Sequence, residues 1–255
     1  MARSIAVAGK GGTGKTTVAA LLVLNLLKQG QGPVLAVDAD ADANLGSLLG
    51  VEPHQSIGDL REEVLKEIKN FPAGMSKASY VEAGLHEIIE EANGFDLVTM
   101  GRGEGSGCYC YLNTLIKKFS DDLTPSYPWV VIDNEAGLEH ISRRTSTNID
   151  TLLVIVSDNP LSLSSAKKIQ DLTDTLEKRI SQRYLVTNMI KDDRIAVVQQ
   201  RLSEFHLDYL CNIPYDPQLE DIVFHGEPLS QLTDGPAIEA ITLILDTIGG
   251  THANS

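Results

Sequence analysis

Cysteine is scarce in this chain, and basic residues are outnumbered by acids. Only Cys108, Cys110 and Cys211 occur in 255 residues. So sparse and odd a count argues against a disulfide framework and fits a reducing compartment. Lysine and arginine total 21 against 35 aspartates and glutamates, a formal net charge of −14. That balance repels phosphodiester backbones and anionic lipid heads, and no dense Lys/Arg run offsets it, so neither nucleic acid nor membrane is an expected partner. Long hydrophobic runs are missing too. The apolar stretch from Val18 to Leu27 is too short to span a bilayer and reads as a packed helix. Met1-Ala2-Arg3-Ser4 leads straight into an apolar run and leaves no room for a signal peptide, so a cytoplasmic location is expected. No internal repeat or low-complexity tract is visible.

What is present is enough apolar material for a core, 42% of residues, in a pattern that alternates strand and helix. Short apolar runs at Ser4–Ala8, Val34–Asp38, Phe95–Met100, Trp129–Asp133, Leu152–Val156, Tyr184–Val186 and Tyr209–Ile213 read as strands. Helical segments are expected at Thr17–Lys28, ended by Gln29-Gly30-Gln31-Gly32-Pro33, and near 160–179, 192–204 and 236–248. Residues 53–94 read as a helical insertion, with helical spacing over Ile57–Ile68 and Val81–Ala92. This alternation predicts one α/β domain over residues 1–250, a mostly parallel sheet with helices on both faces, and a disordered tail at 251–255. Ligands of such sheets bind beyond the carboxyl ends of the strands, where the first glycine loop, Asp38 and Asp133 all fall.

Gly9-Lys10-Gly11-Gly12-Thr13-Gly14-Lys15-Thr16-Thr17 satisfies G-x-x-x-x-G-K-[ST] directly behind the first strand. Its glycines let successive N–H groups turn inward around phosphate oxygens, and the helix that follows adds its positive end. Lys15 is expected to reach the β/γ-phosphates and Thr16 to ligate Mg²⁺, which makes the chain a P-loop ATPase. By spacing alone Lys10 could be a solvated charge. The run Asp38-Ala39-Asp40-Ala41-Asp42 could be an acidic loop or a weak Ca²⁺ site, and Asn188 could be an ordinary polar strand end.

The nine-residue loop resembles the deviant Walker A motif of the nitrogenase-iron-protein/partition-ATPase class. The resemblance implies an ATP-bound homodimer in which Lys10 crosses to the partner's nucleotide. It also implies that Gly11 to Thr17 bind phosphate, that Asp40 orients the attacking water and that Asp38 lies near the magnesium shell. Asp133 resembles the acid that holds Mg²⁺, and Asn134-Glu135-Ala136-Gly137 a second switch. Asn188 and Pro214 match the positions that recognise and flank adenine in that class.

Gly105-Ser106-Gly107-Cys108-Tyr109-Cys110 is the remaining motif. A free cysteine is commonly a small buried hydrophobe, but two of them two apart in a glycine-rich loop suit packing poorly, and a bond between them would be strained. Two thiolates cannot close a tetrahedral site. A two-fold dimer supplies four, a Cys₄ site open to Zn²⁺, Cu⁺, Ni²⁺ or an Fe–S cluster. With its surroundings from Gly101 onward and Ala136-Gly137-Leu138-Glu139-His140, this C-x-C resembles the CooC/AcsF family of nickel-insertion ATPases. The resemblance implies Ni²⁺ (with Zn²⁺ able to replace it) at Cys108 and Cys110, ATP/ADP and Mg²⁺ at the loop, and a client enzyme, carbon monoxide dehydrogenase or acetyl-CoA synthase. Glu135 stands where that family's pattern has glycine, and Glu139 and His140 read as polar partners on a surface helix. The competing readings are a partition or positioning ATPase without metal cargo and an Fe–S reductase-like component.

Overall fold

The computed structural model describes residues 2–66, 76–101, 119, 121–135, 149–175 and 180–250. Among them run the strands β1 (Arg3–Gly9), β2 (Val34–Ala39), β3 (Glu90–Glu91), β4 (Phe95–Thr99), β5 (Trp129–Asn134), β6 (Ile149–Val156), β7 (Ile180–Asn188) and β8 (Asp208–Ile213). They form one sheet in the order β3-β4-β2-β5-β1-β6-β7-β8. Every pairing is parallel except β3 with β4. This is the expected single-domain α/β architecture.

The central strand explains itself. Ile5, Ala6, Val7 and Ala8 are all fully buried, because β1 has a strand on each side and helices on each face, so its middle stretch is apolar on both faces. On one face pack α1 (Lys15–Lys28), α2 (Leu45–Leu49), α7 (Pro217–His225) and α8 (Pro236–Gly250), sharing a core with Ile5, Val7, Leu153 and Ile155. On the other face α3 (Ile57–Lys66) and α4 (Lys77–Glu87) cover β2, β4 and β5. There too α5 (Pro160–Asp174) and α6 (Asp192–Leu202) cover β1, β6 and β7. Each fully buried Leu or Ile contributes roughly 1.5–3 kcal/mol.

Three elements differ from expectation. The helical spacing over 81–92 ends at Glu87, and Glu90–Glu91 instead pairs antiparallel with Asp96–Leu97. Gly94, at φ 88°, supplies the turn that folds this short edge strand back. The helix expected near 160–179 is described as Pro160–Asp174, started by Asn159, whose side chain accepts from Leu161 N. An unexpected helix, α7, begins directly after the Pro214 loop. Asp216 caps it by accepting from Gln218 N and Leu219 N, and Pro217 sits at its start. Cys211 lies buried in β8, as expected, and burial pushes its thiol up to about 11. Cys108, Cys110, Gly137, Glu139, His140 and the 251–255 tail lie outside the described residues.

Candidate nucleotide site

The glycine loop joins β1 to α1 and is braced from within. Thr13 donates both its hydroxyl (2.8 Å) and its N–H (3.3 Å) to the Lys10 carbonyl, so the loop closes on itself. From outside, Asn188 at the end of β7 donates Nδ2 to the Thr13 carbonyl at 2.8 Å. Gly14 begins α1 with φ 86°, and a Cβ there would lie 2.4 Å from Asn188 Nδ2. Only glycine permits this approach and this backbone. Gly9, at φ 152°, is equally constrained, since its Cβ would meet the Ile155 carbonyl oxygen at 2.5 Å. Lys15 is 6% exposed and forms no ion pair among the described residues. Thr16, Thr17 and Lys10 are half-buried, while Gly11 and Gly12 are open to solvent.

The acids are brought to the loop by sheet register. Asp133 on β5 pairs with Val7 on β1 and with Asp38 on β2, and Asp38 pairs with Thr99 on β4. Thr99, Asp38, Asp133 and Val7 thus form one row across four adjacent strands. Asp38 and Asp133 are both 0% exposed. Asp38 has its partners: Oδ1 accepts from Asp40 N (3.1 Å) and Oδ2 from Leu45 N (2.9 Å). Burial still raises its carboxyl to about 6, against the pull of those two amides. Asp133 has none: neither carboxylate oxygen meets a hydrogen-bond partner. Burial pushes it up to about 7. The Thr16 hydroxyl, which stops short of a hydrogen bond, and the Lys15 ammonium pull it down, whereas Asp38 and Asp40 push it further up.

Two orphaned carboxylate oxygens beside a buried lysine and a P-loop threonine are what a bound cation and phosphate would satisfy. A Mg²⁺–nucleotide fits these residues: Thr16, Asp38 and Asp133 as the hard oxygen donors or their water-bridged neighbours, with Lys15 for the phosphates. Asp40 is half-buried, and its Oδ1 accepts from Asp42 N at 3.1 Å. Pro214 is half-buried at the end of β8, where Met189 N, just past β7, donates a hydrogen bond to the Ile213 carbonyl (3.0 Å).

Thr99 escaped sequence reasoning, and Asn134 entered it only as the first residue of the expected second switch. Asn134 is 1% exposed, donates to the Val7 carbonyl at 3.0 Å and leaves its own Oδ1 without a partner. Thr99 is 4% exposed with an unpartnered hydroxyl. Thr99 belongs to no motif; it matters through the strand it sits beside, which spacing along the chain does not reveal.

Comparison with known proteins agrees with this geometry. Residues 4–229 match the model of the CobQ/CobB/MinD/ParA nucleotide binding domain. An uncharacterised ATP-binding protein of Methanocaldococcus jannaschii is 40% identical over 232 residues, covering 90% of this chain and 91% of its own. The carbon monoxide dehydrogenase accessory protein CooC of Rhodospirillum rubrum is 30% identical over 228 residues, covering 85% of each chain. Among solved structures, the septum site-determining protein MinD of Pyrococcus horikoshii, complexed with Mg-ADP, superposes with a TM-score of 0.65 at 21% identity, over all of both chains. The chain belongs to the CobQ/CobB/MinD/ParA family of nucleotide-binding P-loop proteins.

Proposed function

We propose that this protein is an ATP-hydrolysing metallochaperone that carries Ni²⁺ on Cys108 and Cys110 of a homodimer and promotes its insertion into carbon monoxide dehydrogenase or acetyl-CoA synthase. The observation that carries the hydrolytic half is the orphaned, fully buried Asp133 carboxylate in register with Asp38 beside the braced loop. The nickel half is supported by the C-x-C spacing and by the 30% identity to CooC.

In this reading Asp40 orients a water toward the γ-phosphorus. As the new P–O bond forms, the bond to the β–γ bridging oxygen breaks, and ADP departs with the electron pair. Lys15, and Lys10 from the partner subunit, stabilise the charge that accumulates on the phosphoryl oxygens. Thr16, Asp38 and Asp133 would hold Mg²⁺, which when bound would supply further charge neutralisation on the phosphates. Gly11 to Gly14 offer their amides, and Asn188 and Pro214 border the adenine. Because the same dimer closure would assemble four thiolates, nucleotide and metal affinities are linked reciprocally.

The test is metal binding and mass together: elemental analysis of anaerobically purified protein, with its mass in ADP and in ATP. We expect about one Ni²⁺ or Zn²⁺ per dimer, a Cys₄ site shared two-fold, lost in Cys108→Ser/Cys110→Ser. Undiminished binding in that variant sinks the nickel reading, and bound iron with sulfide redirects it to the Fe–S alternative. A partition or positioning ATPase is the second reading, favoured by the fold likeness to MinD. Against it, α8 contains no basic residue and turns Ala237, Ile241, Ile244 and Ile248 into the core. Sedimentation with DNA or anionic liposomes in ATP would restore that reading.

A further inference from the structure

No lysine or arginine follows Arg201 in this chain, whereas nine aspartates and glutamates do. Within that acidic stretch, α7 carries an exposed apolar face. Ile222 turns into the core with Leu219 packed beside it, which leaves Val223 and Phe224 outside, at 42% and 82% exposure. Phe224 stands one helical turn from Glu220. The Glu220 carboxylate accepts from the hydroxyl of Tyr215, itself 52% exposed. On its other flank the Phe224 ring meets His225 edge-on, with ring centroids 5.2 Å apart. Tyr215, Val223 and Phe224 thus share an outer face, framed by Glu220, Asp221 and Glu227.

A single exposed phenylalanine is ordinary. Two features set this one apart. The first is the firmness of its helix. Asp216 caps the start by accepting from Gln218 N (3.0 Å) and Leu219 N (3.2 Å). At the other end Gly226 turns at φ 67°, and Glu227 N donates to the Ile222 carbonyl at 3.0 Å. Both ends are closed, so the aromatic is held out on an ordered platform, and docking does not have to order it. The second feature is charge. Among the described residues no lysine or arginine pairs with Glu220, Asp221 or Glu227. Asp221 instead faces His225, at 3.5 Å. An apolar centre inside a charged, solvated rim is the layout of a protein interface.

We propose that the outer face of α7 docks a segment of a partner protein that bears an apolar anchor flanked by lysines or arginines. The anchor covers Val223 and Phe224, and its cations meet Glu220, Asp221 and Glu227. Charge selects this occupant over the others. The same acids repel nucleic acid and anionic lipid. A second copy docked through this face about a two-fold axis would set like charges against each other. The inference stands apart from both the nickel reading and the homodimer.

Fluorescence anisotropy tests it, with a labelled amphipathic leucine–lysine peptide of about four helical turns in about 0.15 M salt. The leucine–glutamate peptide of the same pattern is the comparison. We expect the lysine peptide to bind at least about tenfold more tightly than the glutamate one. Phe224→Ala should weaken its binding about tenfold, and Glu220→Gln with Glu227→Gln several-fold. Leu161→Ala, which removes another open apolar side chain (62% exposed, on α5), should leave it unchanged. Phe224 and both glutamates are exposed, so these variants should fold, which matching melting curves verify. Absence of binding by the lysine peptide overturns the proposal. Binding untouched by Phe224→Ala marks diffuse charge attraction and overturns it equally. So does Phe224-dependent attachment to anionic liposomes or Phe224-dependent dimer mass, which assigns the face to a membrane or to a second copy.

Discussion

Asp133 is a residue whose environment is wrong for the folded protein by itself and right for a cation. Its carboxyl ionises near 7 and that of Asp38 near 6, both above the ordinary 3.8. The folded state therefore holds these protons more tightly than the unfolded chain does. Their contribution to stability is complete below about pH 4 and is lost as pH rises through 6 to 7. Asp133→Asn should therefore stabilise the nucleotide-free protein at pH 8 by an amount on the order of a few kcal/mol, seen as a higher melting temperature, with little change at pH 4.5. The same substitution should remove Mg²⁺-dependent nucleotide stabilisation. In the wild type, Mg²⁺–nucleotide affinity should fall as pH drops below 7, because the cation needs the ionised acids. Melting curves at pH 4.5 and 8, with and without Mg²⁺–ATP, check all three outcomes. Asn188→Ala tests the brace on the loop. It should cost about 1 kcal/mol of stability and weaken ATP binding several-fold, read by titration.

Local signals at the level of elements were unequal. The P-loop helix, the central strands and their acidic ends were readable because apolar runs, glycines and acids recur at fixed spacing. The end of α4 was not: the helical spacing continues past Glu87, yet a sheet edge beside β4 claims Glu90 and Glu91. Helix α7 was readable in hindsight from Asp216-Pro217, a cap followed by a first-turn proline. Asp216 does more than cap, since its Oδ2 also accepts from Ala237 N at the start of α8, at 3.3 Å. Asp216→Ala should therefore cost about 1–2 kcal/mol and loosen two helices at once. Urea denaturation should show a lower midpoint, and hydrogen exchange should show faster opening in both α7 and α8. Faster exchange in α7 alone would mean that the cap acts locally.

For the whole molecule, the fold places every phosphate-site group at the carboxyl edge of one parallel sheet, around the loop after its central strand. Nucleotide at about a hundred times its Kd should then stabilise the protein by about 2.7 kcal/mol, measurable as a melting shift. The homodimer reading makes a separate prediction. Lys10→Ala should retain nucleotide-induced stabilisation but lose ATP-dependent dimer mass and most hydrolysis, whereas Lys15→Ala should lose all three. Light scattering with phosphate release separates them.

Taken alone, the sequence determined the chemistry that depends on neighbours in the chain. The loop Gly9 to Thr17 needs only consecutive residues to turn its amides inward. Strand-ending acids were equally visible. What only the tertiary structure decided is what depends on strand order. β2 and β5, 90 residues apart in sequence, lie side by side, so Asp38 and Asp133 share one register and one buried, charge-raising environment. The same register sets Thr99 in that row, and the placing of β7 two strands from β1 brings Asn188 to the Thr13 carbonyl. Sequence spacing is silent about such pairs, because a parallel sheet joins strands by crossovers, and their order is fixed by packing on both faces.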